Sequence, residues 1–181
     1  MRSFAQFDFL KFQVPKARLQ LVGAVACLIA CKIDERIPPL LDDFVYVCDD
    51  AYSKDEIKAL EIEMIDTVGY DVGYPLTYRF LRRYSRVCGA SMTVLTFARY
   101  ILESTLMEYT LNVETSESLL ATAVVYMALK IKGMTGFEET LEFYSGHKLA
   151  DTGDICRHLH AMLLKPTSEA KKTIRTKYSH E

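Results

Sequence analysis

The chain has 181 residues, half of them hydrophobic, with five cysteines and a formal net charge of −2. That balance excludes a disordered chain and lacks the gross basic excess of a nucleic-acid binder; five cysteines with no CxxC pair exclude a disulfide framework. No segment reaches the roughly 18–20 apolar residues that span a bilayer, and Met1 to Asp8 lacks a signal-peptide core, so a soluble protein of nucleus and cytoplasm is expected, with its cysteines reduced.

In chain order, the first element is an apolar run from Leu21 to Lys32, stopped by Pro38 and Pro39. A short helix over Leu40 to Cys48 follows, with Asp42 and Asp43 in its first turn. Ser53 and Glu56 have capping-box spacing, and Ile57, Leu60, Met64, Ile65 and Val68 recur at helical intervals behind them. Gly69 and Gly73 end that helix, and Pro75 marks a boundary. Beyond it the pattern predicts helices over Thr77 to Val87 and Met92 to Leu111. A second buried helix, capped by Thr115 or Ser116, runs to about Ile131, and others cover Phe137 to Tyr144 and Asp154 to Leu164. Pro166 introduces a polar tail in which Glu169 to Lys177 forms a turn or two. Strand alternation is missing throughout, so the fold class is all-α.

The runs Leu21 to Lys32 and Leu119 to Lys130 are cousins: both are rich in small apolar residues, start on leucine and end on lysine. Neither shows a polar face, so each reads as a helix buried on nearly all sides, with Cys27 and Cys31 acting as small hydrophobes. Asp43 to Tyr46 and Leu141 to Tyr144 also correspond downstream. A repeat of this length points to a duplicated helical domain.

Spaced landmarks run through both halves: Leu19 to Gly23, Lys32 with Asp34 and Glu35, Pro38-Pro39, Asp43 to Tyr46, Asp49-Asp50 with Tyr52, Glu61, and Phe80 to Arg83. On these the chain, from about Arg18 to His180, resembles a mitotic cyclin of the B type. Tyr144 to Gly146 and Lys177 to His180 lean toward the third animal B-type subclass. The resemblance implies tandem cyclin-box helical bundles, the first box incomplete at its N-terminus: residues 1–73 as that first box, 74–165 as the second, and 166–181 as a tail. It also implies a regulatory subunit without catalytic residues or cofactors, forming a 1:1 heterodimer with a mitotic cyclin-dependent kinase.

The kinase interface expected from the resemblance centres on Lys32 and Glu61, which in the family reach backbone groups of the kinase's regulatory helix and one another. Ile29 and Ile33 share the Lys32 face, and Ile65 lies one turn from Glu61. With Tyr70 and Val72 they supply the apolar contact, and Glu35 a flanking charge. The plain alternatives are a lysine snorkelling from a buried helix and a solvated acidic turn at Asp34 and Glu35. A shortened first box would leave that half partly open, though Phe4, Phe7, Phe9, Leu10 and Phe12 could cover some of it. Of the family's substrate-docking patch only Gln20 remains, and Ile33 stands where the family usually has an aromatic residue. Arg18 with Leu21 and Arg99 with Leu102 match the shortest degradation motif, but within helices, where chance is the better reading.

Arg79, Arg82, Arg83 and Arg86 make one basic stripe suited to an acidic or phosphorylated segment, or simply a solvated face. Cys156, His158 and His160 lack a second ligand pair, so no metal is expected. An intrinsic enzyme and a DNA-binding factor have the least support. The rival reading is a truncated interaction module that binds partners without activating a kinase.

Overall fold

The structure is a computed structural model and describes residues 14–70, 72–73, 75–165 and 169–179. Every regular element among them is helical, as the sequence predicts. The chain divides after Tyr74 into two compact units. Phe4 to Phe12, expected to cover part of the first half, lies outside the described residues.

In the first unit a short 3₁₀ turn, Lys16–Arg18, leads into α1 (Leu19–Asp34), followed by α2 (Leu41–Val47) and α3 (Lys54–Thr67). Pro38 and Pro39 separate α1 from α2, and the Asp43 carboxylate accepts from the Leu40 N–H at 2.7 Å to start α2. The capping box opens α3 as predicted: Ser53 N–H donates to Glu56 Oε2 at 2.8 Å and Glu56 N–H to Ser53 Oγ at 3.3 Å. Leu21, Val25, Leu28 and Ile29 of α1 pack on Phe44, Ile57, Leu60 and Met64.

The second unit holds α4 (Thr77–Val87), α5 (Met92–Thr105), α6 (Tyr109–Val113), α7 (Glu117–Ile131), α8 (Glu138–Ser145), α9 (Gly153–Leu164) and α10 (Glu169–Tyr178). α7 is its axis, surrounded by α4, α5, α8 and α9. Residues 120–125 and 127–129 of α7 are all buried. The small side chains of Ala121, Ala123 and Ala128 let these neighbours approach from several directions, which a stripe of leucines on one face would not permit.

Three expectations need correction. The two related runs are not equally buried: α7 is wrapped, whereas among the described residues α1 packs mainly on α2, α3 and the short turn, and its Gly23 and Cys27 are exposed. Second, the helix expected from Met92 to Leu111 stops at Thr105. There the Ser104 and Thr105 hydroxyls donate to the carbonyls of Tyr100 and Leu102, and Asn112 donates to the Thr105 and Glu108 carbonyls, so side chains satisfy the backbone groups that would have continued the helix. Third, the polar tail forms a full helix, α10, whose Ile174 is buried and which packs on α5.

α10 is tied down by Glu103 on α5. Lys177 Nζ donates to both Glu103 carboxylate oxygens at 3.0 and 2.9 Å, and the Tyr178 hydroxyl donates to Oε2 at 2.7 Å. Burial pushes the Glu103 carboxyl up, but the Lys177 and Tyr178 hydrogen bonds and the Lys177 and Arg99 charges outweigh it, and its pKa is lowered. A depressed folded-state pKa gives stability that is complete above the unfolded value and lost as pH falls through the folded one. Amide exchange of α10 is therefore expected to be slow near neutrality and to accelerate, beyond the chemical rate, only in acid below the usual glutamate range. In Glu103→Gln that acid transition should disappear.

Candidate functional site: the Lys32–Glu61 junction

Lys32 closes α1 in its last turn, and Glu61 sits midway along α3. α1 and α3 pack together, which brings two residues 29 positions apart into contact. Lys32 Nζ donates to Glu61 Oε1 at 2.6 Å and to Oε2 at 2.8 Å. The lysine side chain is 47% exposed and the glutamate 13%. An ion pair this open to water contributes on the order of 0–1 kcal/mol to folding. Its larger effect is positional: each long side chain holds the other at the surface where α1 and α3 meet.

Around the pair the expected residues take different places. Ile33 is 47% exposed and Tyr70 is 69% exposed. Glu35 is also exposed, while Ile65 and Val72 are half-buried. Ile29 is a correction: at 2% exposure it belongs to the core beneath the pair, because its side chain points between α1 and the other two helices. It supports the surface and does not form it. Tyr70 has a left-handed backbone, φ 60°, and its hydroxyl donates to Asp66 Oδ1 one turn back. That bond holds the ring against the end of α3, and the Asp66 hydrogen bond raises the phenol's pKa. Sequence reasoning did not single out Ile37, Leu40 or Ile62, which are also large, apolar and exposed in this unit. The signal was present in the α1–α2 connection, where prolines 38 and 39 keep the chain extended and leave its side chains without helix neighbours.

The second unit repeats the motif differently. Lys130, the counterpart of Lys32, pairs with Glu138 eight residues on and lies over the Tyr126 and Phe137 rings at 5.7 and 5.5 Å. The hydrogen bond to Glu138 raises the Lys130 pKa and lowers that of Glu138. Here lysine and acid belong to adjacent elements, and the lysine lies over its own aromatic shelf.

Arg79, Arg82, Arg83 and Arg86 are exposed on α4, opposite the buried Leu81, Tyr84 and Ser85. Arg82 lies over the Tyr78 ring at 5.9 Å, and Arg99 from α5 approaches the same ring at 5.9 Å. Arg99 was invisible as a member of this group because only the packing of α5 on α4 brings it there. Cys156 packs with its Sγ 3.8 Å from the Ala123 carbonyl, and His158 lies 3.8 Å from Glu108. Among the described residues no cluster of three histidine, cysteine or acidic side chains is placed to hold a metal, and no helix is long and apolar enough to cross a membrane.

Comparison with known proteins places these features in a family. Residues 6–73 match the cyclin N-terminal domain and residues 75–181 the cyclin C-terminal domain. The chain is 47% identical over 174 residues to the G2/mitotic-specific cyclin-B3 of Drosophila melanogaster, covering 93% of this chain and 30% of the relative. With the cyclin-B3 of Gallus gallus it shares 42% over 163 residues, covering 90% and 40% of the two. It therefore spans less than half the length of these relatives. A viral cyclin from herpesvirus saimiri superposes with a TM-score of 0.71 at 17% identity, covering 82% of this chain and 67% of that one, a likeness of fold. Two matched cyclin domains along the chain, and relatives named as mitotic B-type cyclins, establish that the chain belongs to the cyclin family.

Proposed function

We propose that the chain is a regulatory subunit that binds and activates a mitotic cyclin-dependent kinase. The observation that carries this reading is the Lys32–Glu61 pair, held bidentately at the surface junction of two helices with exposed apolar side chains on the same elements. A folding contact of this exposure has little energetic reason to exist, whereas a charged pair beside apolar surface suits a partner helix that needs both a buried contact and a fixed register. Ile33, Ile62 and Tyr70 supply the apolar contact. Lys32 and Glu61 take backbone groups at the ends of the kinase's regulatory helix, and Glu35 flanks them.

Activation follows from differential binding. A kinase helix gripped in its inward position presents its glutamate to the ATP-binding lysine, and the activation loop leaves the substrate cleft. The cyclin shifts the equilibrium because it binds that state more tightly than the inactive one. The catalytic groups belong to the kinase, and the complex acts, in nucleus and cytoplasm, at entry into division; the mitotic names of the relatives support that timing.

The test is reconstitution of the purified chain with a mitotic cyclin-dependent kinase, scored for 1:1 co-elution and for histone phosphorylation. Co-elution with stimulated phosphorylation is expected. Co-elution without stimulation would replace activation by the rival role of a binding module, and absence of a complex would reject the kinase reading altogether.

A further inference from the structure

Within the second unit, α5, α10 and the end of α9 enclose a cleft of about 800 Å³. One face of α5 supplies Thr93, Thr96, Phe97, Tyr100 and Ser104, at the three- and four-residue spacing that keeps side chains on one stripe. Its wall is aromatic. Phe97 and Tyr100 are near-parallel with centroids 6.3 Å apart, and Tyr178 of α10 meets Tyr100 edge-on at 5.9 Å. The Tyr178 hydroxyl is anchored on Glu103, which fixes the ring. Met162 and Leu163 complete an apolar floor.

Charge is added on one side of the ledger only. Lys132 just after α7, Lys165 just after α9 and Arg175 on α10 line the cleft, and none of the described lining residues is acidic. The chain as a whole is slightly negative, whereas the charged side chains among the described lining residues are all cationic. Lys132 lies over the Phe97 ring at 5.5 Å, which keeps its ammonium at the edge of the aromatic wall. Among the described residues Lys165 reaches Glu108, at 3.9 Å, a separation too long for a hydrogen bond.

We infer that this cleft docks a short acidic segment of a partner protein, with one bulky apolar side chain on the Phe97–Tyr100–Tyr178 wall and flanking carboxylates on Lys132, Lys165 and Arg175. The volume lies in the roughly 300–1,000 Å³ range of ligand sites, large enough for an aromatic or leucine anchor with its neighbours. Cations from three separate places in the chain match several carboxylates spaced along a peptide better than one compact anion. The site lies in the second unit and uses none of the residues assigned to the kinase.

The test is fluorescence polarisation of the full chain with a labelled decapeptide of glutamates around a central phenylalanine. Saturable binding is expected that weakens with added salt. It should fall by at least about tenfold when the phenylalanine becomes alanine, and similarly when the chain carries Lys132→Glu with Lys165→Glu. Both substitutions are at exposed positions, and kinase co-elution of the double variant should be unchanged, which separates this inference from the kinase reading. The peptide changes repeat the test without altering the protein. Equal binding of a lysine-for-glutamate peptide, undiminished binding by the charge-reversed chain, or no binding at all would overturn the inference. Displacement of the peptide by ADP or by polyphosphate at lower concentration would assign the cleft to a small anion instead.

Discussion

Glu61→Ala is expected to weaken binding to a mitotic cyclin-dependent kinase by about thirtyfold or more, the roughly 2 kcal/mol that marks an interface hot spot. The size follows from the geometry. Glu61 is the less exposed partner and holds Lys32 through both carboxylate oxygens, so its loss removes one contact and frees the lysine to wander. Folding should hardly change, within about 1 kcal/mol, because the pair is open to water. Titration calorimetry on the variant, beside a thermal melt, separates the two effects. Lys32→Ala should behave alike, and the swap Lys32→Glu with Glu61→Lys should restore the internal pair without restoring the kinase contact. Wild-type affinity in the alanine variants would place the interface elsewhere on the chain.

The largest stability effect is expected in the second unit. Leu129 of α7 is 0% exposed and belongs to the cluster that includes Leu81, Ile101, Leu141 and Leu159. Leu129→Ala leaves a hole in the helix around which the other helices gather, at a cost of about 2–5 kcal/mol. For a unit of this size each kcal/mol is worth roughly 4–8 °C in Tm, so a fall of ten degrees or more in its unfolding transition is expected by calorimetry. Ile33→Ala, at a half-exposed position of α1, removes a side chain of similar size and should change stability by only about 0.5 kcal/mol. Comparable losses from the two variants would mean that α1 is covered as completely as α7.

Much of this architecture was legible in the residues. The capping box at Ser53 and Glu56, the Pro38–Pro39 stop and the lysine-terminated repeat are local signals with local causes, and helices form where they indicate. Lys32 and Glu61 could be paired from the family resemblance, and the packing of α1 on α3 brings them together. What the pattern could not show was how many neighbours a helix has. α1 and α7 have the same kind of sequence and very different surroundings, since burial is settled by what packs around a helix. The early end of α5 was hidden for a related reason: an apolar periodicity continues past Thr105, and the hydroxyl and amide groups that stop the helix act through contacts between side chain and backbone. Arg99 and the aromatic cleft depend on residues brought together from separate helices.

The outward-facing side of α1 also gives the molecule a natural attachment point. Cys27 is the exposed cysteine of the five. Cys48 is buried, burial pushes the Cys88 thiol up to about 11, and the thiols of Cys31 and Cys156 are likewise raised by burial. Because the thiolate is the reacting species, a maleimide dye at neutral pH has one favoured destination, about a turn and a half along the helix from Lys32. A fluorophore there would sit on the face of α1 turned away from its core contacts, so the native sequence could carry a single reporter that leaves the Lys32–Glu61 surface undisturbed.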